Sequence, residues 1–220
     1  MVKNSRRLLW VGVSLLAAFI LWTVLIGIVD VKAIGPRESS VGFATLNGYF
    51  HSLTGANMLL YTITDWLGLV PICIALGFAV FGLVQWIQRK SLRKVDRSLL
   101  LLGGFYIVVM AVYILFELIV VNYRPILIDG YLEASYPSST TMLVMCVIPT
   151  AIMQLRARIQ CKSFGRCVSV VMIVFIIFMV VGRLLSGVHW LTDIIGGALF
   201  SAGLVLIYAF INGQYQGATE

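Results

Sequence analysis

The chain has only two histidines, and one lies in the run Gly182-Arg183-Leu184-Leu185-Ser186-Gly187-Val188-His189-Trp190-Leu191-Thr192-Asp193. His189 and Asp193 are four residues apart, so on a helix they share a face. A carboxylate so placed accepts the imidazole N–H, fixes the tautomer and stabilises the cation. A histidine oriented in this way can act as a nucleophile. Arg183 lies nearby, and a guanidinium fork matches the oxygens of a phosphate. A second stretch, Glu117 to Pro125, reads ELIVVNYRP. Glu117 and Arg124 stand two turns apart on one face if the helix continues that far. A third stretch, Tyr136-Pro137-Ser138-Ser139-Thr140-Thr141, has the proline and hydroxyls of a helix start. The free N–H groups and positive dipole end of such a start suit a phosphate. Arg124 or Glu117 alone would read as a helix-end anchor. His189, Asp193 and Arg183 together read as a phosphate-handling site.

Membrane spans must position these residues. Of 220 residues, 60% are hydrophobic and 11% are charged, against about 25% charged in soluble domains. Six apolar runs approach the 20 or so residues that a spanning helix needs. They cover about 8–30, 66–88, 98–121, 138–156, 167–185 and 191–212. The first is longer than a signal-peptide core and reads as a retained helix. Twelve of the sixteen basic residues fall in the N-terminal tail and in the loops after the second and fourth runs. That bias places both termini in the cytoplasm and all three chemical stretches on the opposite side. The expectation is an all-α bundle of six transmembrane helices, one membrane-embedded domain over residues 1–220. The stretch Val41 to Asp65 reads as one or two amphipathic helices at the interface, or as a packed outer loop, with His51 a packing residue.

Other classes are disfavoured. The net charge of +7 is spread in short clusters between apolar runs, not gathered into a nucleic-acid patch. Cys73 and Cys146 lie within apolar runs, while Cys161 and Cys167 flank a basic loop on the cytoplasmic side, so no disulfide is expected. No cluster of metal-ligand residues surrounds either histidine, so neither metal nor cofactor is expected.

On these motifs the chain resembles the type 2 phosphatidic acid phosphatases, membrane relatives of the vanadium haloperoxidases. That family carries Lys-x6-Arg-Pro, Pro-Ser-Gly-His and Ser-Arg-x5-His-x3-Asp. Arg183, His189 and Asp193 match the third motif, with Gly182 at its leading serine. Arg124-Pro125 match the end of the first, with Glu117 at its lysine. Pro137-Ser138 match the start of the second, and Ser139 and Thr140 replace its glycine and histidine. The resemblance implies that His189 attacks phosphorus to form a phosphohistidine and that Asp193 orients it. It implies that Arg124, Arg183, Ser138 and Ser139, with nearby N–H groups, hold the phosphoryl oxygens, and that no metal is needed.

Two departures bear on chemistry. Thr140 cannot act as the general acid that the family's histidine provides, and Glu117 reverses the charge of a phosphate-binding lysine. A general acid contributes about 100- to 10,000-fold, most for an alkoxide leaving group. The sequence therefore leaves three readings: a lipid-pyrophosphate hydrolase whose leaving group needs little protonation, an enzyme in which Glu117, Asp129 or Glu133 supplies the proton, or a lipid-phosphate binding or transport protein. Hydrolysis of a membrane lipid phosphate or pyrophosphate in the cell membrane is the leading expectation, with Glu117 paired to Arg124 or Arg183.

Overall fold

The computed structural model describes residues 2–217, with side chains from 6 to 214. Eight helices follow one another: α1 (Val2–Ile28), α2 (Ala44–Thr54), α3 (Met58–Leu67), α4 (Leu69–Arg89), α5 (Arg97–Leu118), α6 (Ser139–Arg156), α7 (Lys162–Leu185) and α8 (Leu191–Gly217). A two-stranded antiparallel ribbon, β1 (Lys32–Ala33) and β2 (Ser40–Val41), sits between α1 and α2. Among the described residues, six stretches of helix are long and apolar enough to cross a membrane. They alternate in direction, so the basic loops gather at one end of the bundle and the three chemical stretches at the other.

The largest difference from the sequence reading is the second span. It was expected at 66–88, but apolar helix runs from Met58 to Arg89. The Asn57 side chain caps α3 by accepting the Leu60 N–H at 3.0 Å. The break between α3 and α4 falls at Gly68. Pro71 explains it, because it has no N–H to offer the Leu67 carbonyl one turn earlier. The stretch expected to be amphipathic forms two helices, α2 and α3. The third span ends at Leu118 rather than 121. The β-branched Ile119-Val120-Val121 follow, and Pro125 holds Arg124 out of the helical region. The chain instead makes a hairpin-like loop, bridged at Tyr123–Ala134 and Ile128–Tyr131.

Hydropathy sorts the spans by position. Only 6% of the second span's apolar window is buried within the protein, and it is lined with exposed Leu, Ile and Val. Half of the α6 window is buried, and α6 is the least apolar span. It occupies the centre, packed on α4, α5, α7 and α8, where protein replaces lipid. The tightest seam is α1 on α8. A Cβ on Gly12 would stand 2.9 Å from the Gly203 carbonyl oxygen, so small residues set this approach. Phe19, Phe116, Tyr136 and Phe200 form an aromatic cluster beneath the site. The Tyr136 hydroxyl lies 2.7 Å from Thr23 Oγ1, tying the segment before α6 to α1. At the basic end, Asp96 meets Gln85, Arg89 and Arg158 and joins α4 and the turn after α6 to the start of α5.

The turn from α7 to α8 depends on Gly187. Its φ is +66°, and an added Cβ would fall 1.6 Å from the Gly55 carbonyl oxygen. Gly187→Ala should therefore cost more than about 1 kcal/mol, the left-handed penalty alone. A lower midpoint of thermal unfolding in detergent checks this. An unchanged midpoint would reject the close approach.

Candidate active site

His189 lies in the turn that Gly187 makes, two residues before α8 begins. It is therefore off the helix, and the face-sharing argument for Asp193 does not apply. Asp193 instead points back to the start of α8, where Oδ2 accepts the Trp190 N–H at 2.9 Å. That is the reciprocal half of a capping box. His189 Nδ1 is 3.8 Å from Asp193 Oδ2, too long for the direct hydrogen bond that the spacing suggested. Ser135 stands between them. Its hydroxyl is hydrogen-bonded to Asp193 Oδ2 and lies 3.0 Å from His189 Nδ1, and its carbonyl oxygen is 3.1 Å from the same nitrogen. A carbonyl only accepts, so Nδ1 carries the proton and Nε2 holds a free lone pair. Nε2 is buried with no protein partner. Burial, and then the charges of Arg124 and Arg183, push the His189 pKa well below its usual 6.5. The imidazole is neutral at pH 7, the state a nucleophile requires.

The two arginines act electrostatically on this histidine from different elements. Arg124 lies in the loop after α5, its Nε 3.0 Å from Glu133 Oε2 but out of line for a hydrogen bond. Its Nη1 also has no hydrogen-bond partner. Arg183, in the last turn of α7, is 1% exposed. It faces Asp65 at 3.4 Å and Thr64 at 3.4 Å, and lies 4.8 Å from the centroid of the Tyr61 ring, all on α3. Its Nε is unpartnered. The expected pairing of Glu117 with an arginine is not found, because α5 stops at Leu118 and Arg124 leaves that helical face. Glu133 and Asp65 take the arginines. Glu117 is exposed at the end of α5 and lines a narrow crevice that also contains His189.

The start of α6 forms the opposite wall. Ser138 caps it, its Oγ 3.1 Å from Thr141 Oγ1 and 3.5 Å from the Thr141 N–H. The Ser138 N–H donates to the Asp193 carbonyl oxygen at 3.1 Å, which holds α6 against α8. The following amides of Ser139 and Thr140 belong to a helix's first turn, where N–H groups lack intrahelical partners. Gly196 allows this contact, since a Cβ there would press within 2.4 Å of the Tyr136 ring. Ser139 lines both the His189 crevice and a larger groove, while Thr140 lines only the groove. That groove, about 420 Å³ between α4, α5 and α6, is mostly apolar and has Asp65 and Thr140 in its wall.

Several of these residues escaped the sequence reading. Ser135 and Asn122 adjoin the motifs but look like ordinary loop residues. Asn122 reaches Asp193 Oδ1 at 3.4 Å. Asn47 holds the α8 start through Thr192, a link across 145 positions that no local pattern reveals. Asp65 did carry a signal, as an acid beside a long apolar run. His51 packs edge-on against the Trp190 ring. Among the described residues, no group of three His, Cys, Asp or Glu side chains is placed to hold a metal.

Histidine ¹⁵N titration tests the electrostatics directly. His189 should titrate below 6.5, and Arg124→Gln should raise its pKa by removing a repelling charge. A value at or above 6.5 in the parent would contradict the buried neutral ring.

Residues 119–216 match the PAP2 superfamily model, a segment that contains Arg124, Ser138, Arg183, His189 and Asp193. No curated protein sequence matches the chain. The fold is similar to the crystal structure of the first transmembrane PAP2 type phosphatidylglycerolphosphate phosphatase from Bacillus subtilis. The TM-score is 0.52 at 20% identity, over 93% of this chain and 96% of that one. Residues 119–216 are thus similar to the PAP2 superfamily, and the fold as a whole is similar to that of a transmembrane PAP2 type enzyme.

Proposed function

We propose that the whole chain acts as one membrane-embedded hydrolase that removes phosphate from a lipid phosphate or lipid pyrophosphate through a phosphohistidine on His189. One observation carries the reading. Four buried nitrogens without hydrogen-bond partners (Arg124 Nε and Nη1, Arg183 Nε and His189 Nε2) belong to side chains that are electrostatically coupled. Buried donors left unsatisfied are costly. A phosphoryl group would satisfy the three guanidinium donors and meet the Nε2 lone pair with its phosphorus.

The chemistry follows from the parts. His189 Nε2 attacks phosphorus while Ser135 and Asp193 hold the Nδ1 side of the ring. Arg124 and Arg183 draw charge from the phosphoryl oxygens as it grows in the transition state. The first-turn N–H groups of α6 add donors on a third side. The adjoining apolar groove supports a lipid substrate, since it offers the chain a way out of the crevice along α4 and α5. The basic loops at the far end favour cytoplasmic termini in a cell membrane, with the site opening on the extracytoplasmic side. The solved neighbour's phosphatidylglycerolphosphate is one substrate to try.

The test is phosphate release by detergent-solubilised protein from phosphatidic acid, phosphatidylglycerol phosphate and a polyprenyl pyrophosphate. The parent should release phosphate from at least one, and His189→Ala from none. Release that survives His189→Ala would overturn the mechanism. Binding of these lipids without release would make the protein a lipid-phosphate binder.

Ser135→Ala should slow the parent reaction by about 10- to 100-fold, the value of one hydrogen bond to a charged group. An unchanged rate would show that the carbonyl alone positions the ring.

A further inference from the structure

A lipid phosphate poses a difficulty that the nucleophile and the arginines do not solve. The oxygen leaving phosphorus becomes an alkoxide unless a proton reaches it as the bond breaks. In the hydrolase reading, phosphorus lies at His189 Nε2 and the lipid chain lies in the groove. The scissile oxygen then lies where crevice and groove meet. Their shared wall consists of Tyr113, Ser139 and Met142.

The acids near that wall are nearly all committed elsewhere. Asp65 is held by Arg183, and Glu133 stands against Arg124. Asp193 accepts from Trp190, Ser135 and Asn122. Asp129 lies in the 128–131 turn and lines neither space. Glu117 remains. It lines the His189 crevice one turn beyond Tyr113, with which it interacts. Among the described residues, no basic side chain lies within 4.0 Å of it. Its position also gives α5 no support, because the C-terminal end of a helix favours cations. An acid there, near membrane depth and without a cation, calls for a functional account.

We propose that Glu117 is a catalytic residue that protonates the lipid oxygen leaving phosphorus. The inference rests on the hydrolase reading. In the first step, His189 Nε2 forms the N–P bond, the P–O bond to the lipid breaks, and the Glu117 carboxyl proton passes to that oxygen. A lipid alcohol leaves, and Glu117 becomes a carboxylate. In the second step, a water oxygen bonds to phosphorus as Glu117 takes its proton. The N–P bond breaks, freeing phosphate and restoring both side chains. Tyr113, which lines both crevice and groove, positions the carboxyl on the crevice side.

The experiment compares leaving groups. Release of the leaving group in the first turnover, which reads the N–P bond-forming step alone, is measured with short-chain phosphatidic acid, whose leaving group is an alkoxide, and with p-nitrophenyl phosphate, whose leaving group needs little protonation. Glu117→Gln keeps the size and exposure of the side chain, and size-exclusion elution confirms folding. The variant should lose about 100-fold or more on phosphatidic acid, at least tenfold beyond its loss on the aryl phosphate. Glu117→Asp should recover part of the difference. Equal losses on both substrates, or none on phosphatidic acid, would overturn the assignment while His189→Ala still abolished release. A parent that releases phosphate from neither substrate would bring down the hydrolase reading and this inference with it.

Discussion

The carboxylate of Asp193 is the constraint on which the site depends. It is fully buried and takes hydrogen bonds from the Trp190 amide, the Ser135 hydroxyl and the Asn122 side chain. These donors come from the α8 start, the segment before α6 and the loop after α5. A buried carboxylate short of donors costs several kcal/mol, so one charge fixes three segments at once. The Asp193 carbonyl oxygen accepts the Ser138 amide and sets the first turn of α6 beside it. His189 takes its orientation from this frame at second hand, through Ser135.

A related constraint acts at Arg183. The third motif departs at Gly182 from the family pattern it resembles, and the structure gives a steric reason. A Cβ at 182 would stand 2.8 Å from Thr64 Cγ2, so a serine would press on α3. Helix α3 brings Tyr61, Thr64 and Asp65 to the arginine. The glycine at 182 and the close approach of α3 belong to one packing arrangement.

What the sequence made legible follows the range of each interaction. Apolar length finds spans, because the bilayer acts on each helix separately. Charges at membrane depth find Arg124, Arg183 and His189, because their cost is local. The Glu117–Arg124 pairing failed on a boundary, since seven-residue spacing has meaning only inside a helix and α5 ends at Leu118. The direct His189–Asp193 contact failed in the same way, with His189 two residues outside α8. Ser135 and Asn47 were invisible because their partners lie 54 to 58 and 145 positions away. Hydrogen bonds of that range are created by the packing itself.

The acids beside the two arginines give anion binding a particular character. Glu133 and Asp65 are 42% and 56% exposed, whereas their guanidinium partners are 10% and 2% exposed. Each cation is thus buried with a counter-ion that leans toward solvent. In the proposed reaction, uptake of a phosphate at this place would be ion exchange, in which carboxylates yield contacts to a dianion. The two buried cations are thus each paired with a carboxylate of the chain itself. The same competition would act on an inorganic phosphate formed by the proposed reaction, so the groups that shelter the arginines would also shorten the product's stay.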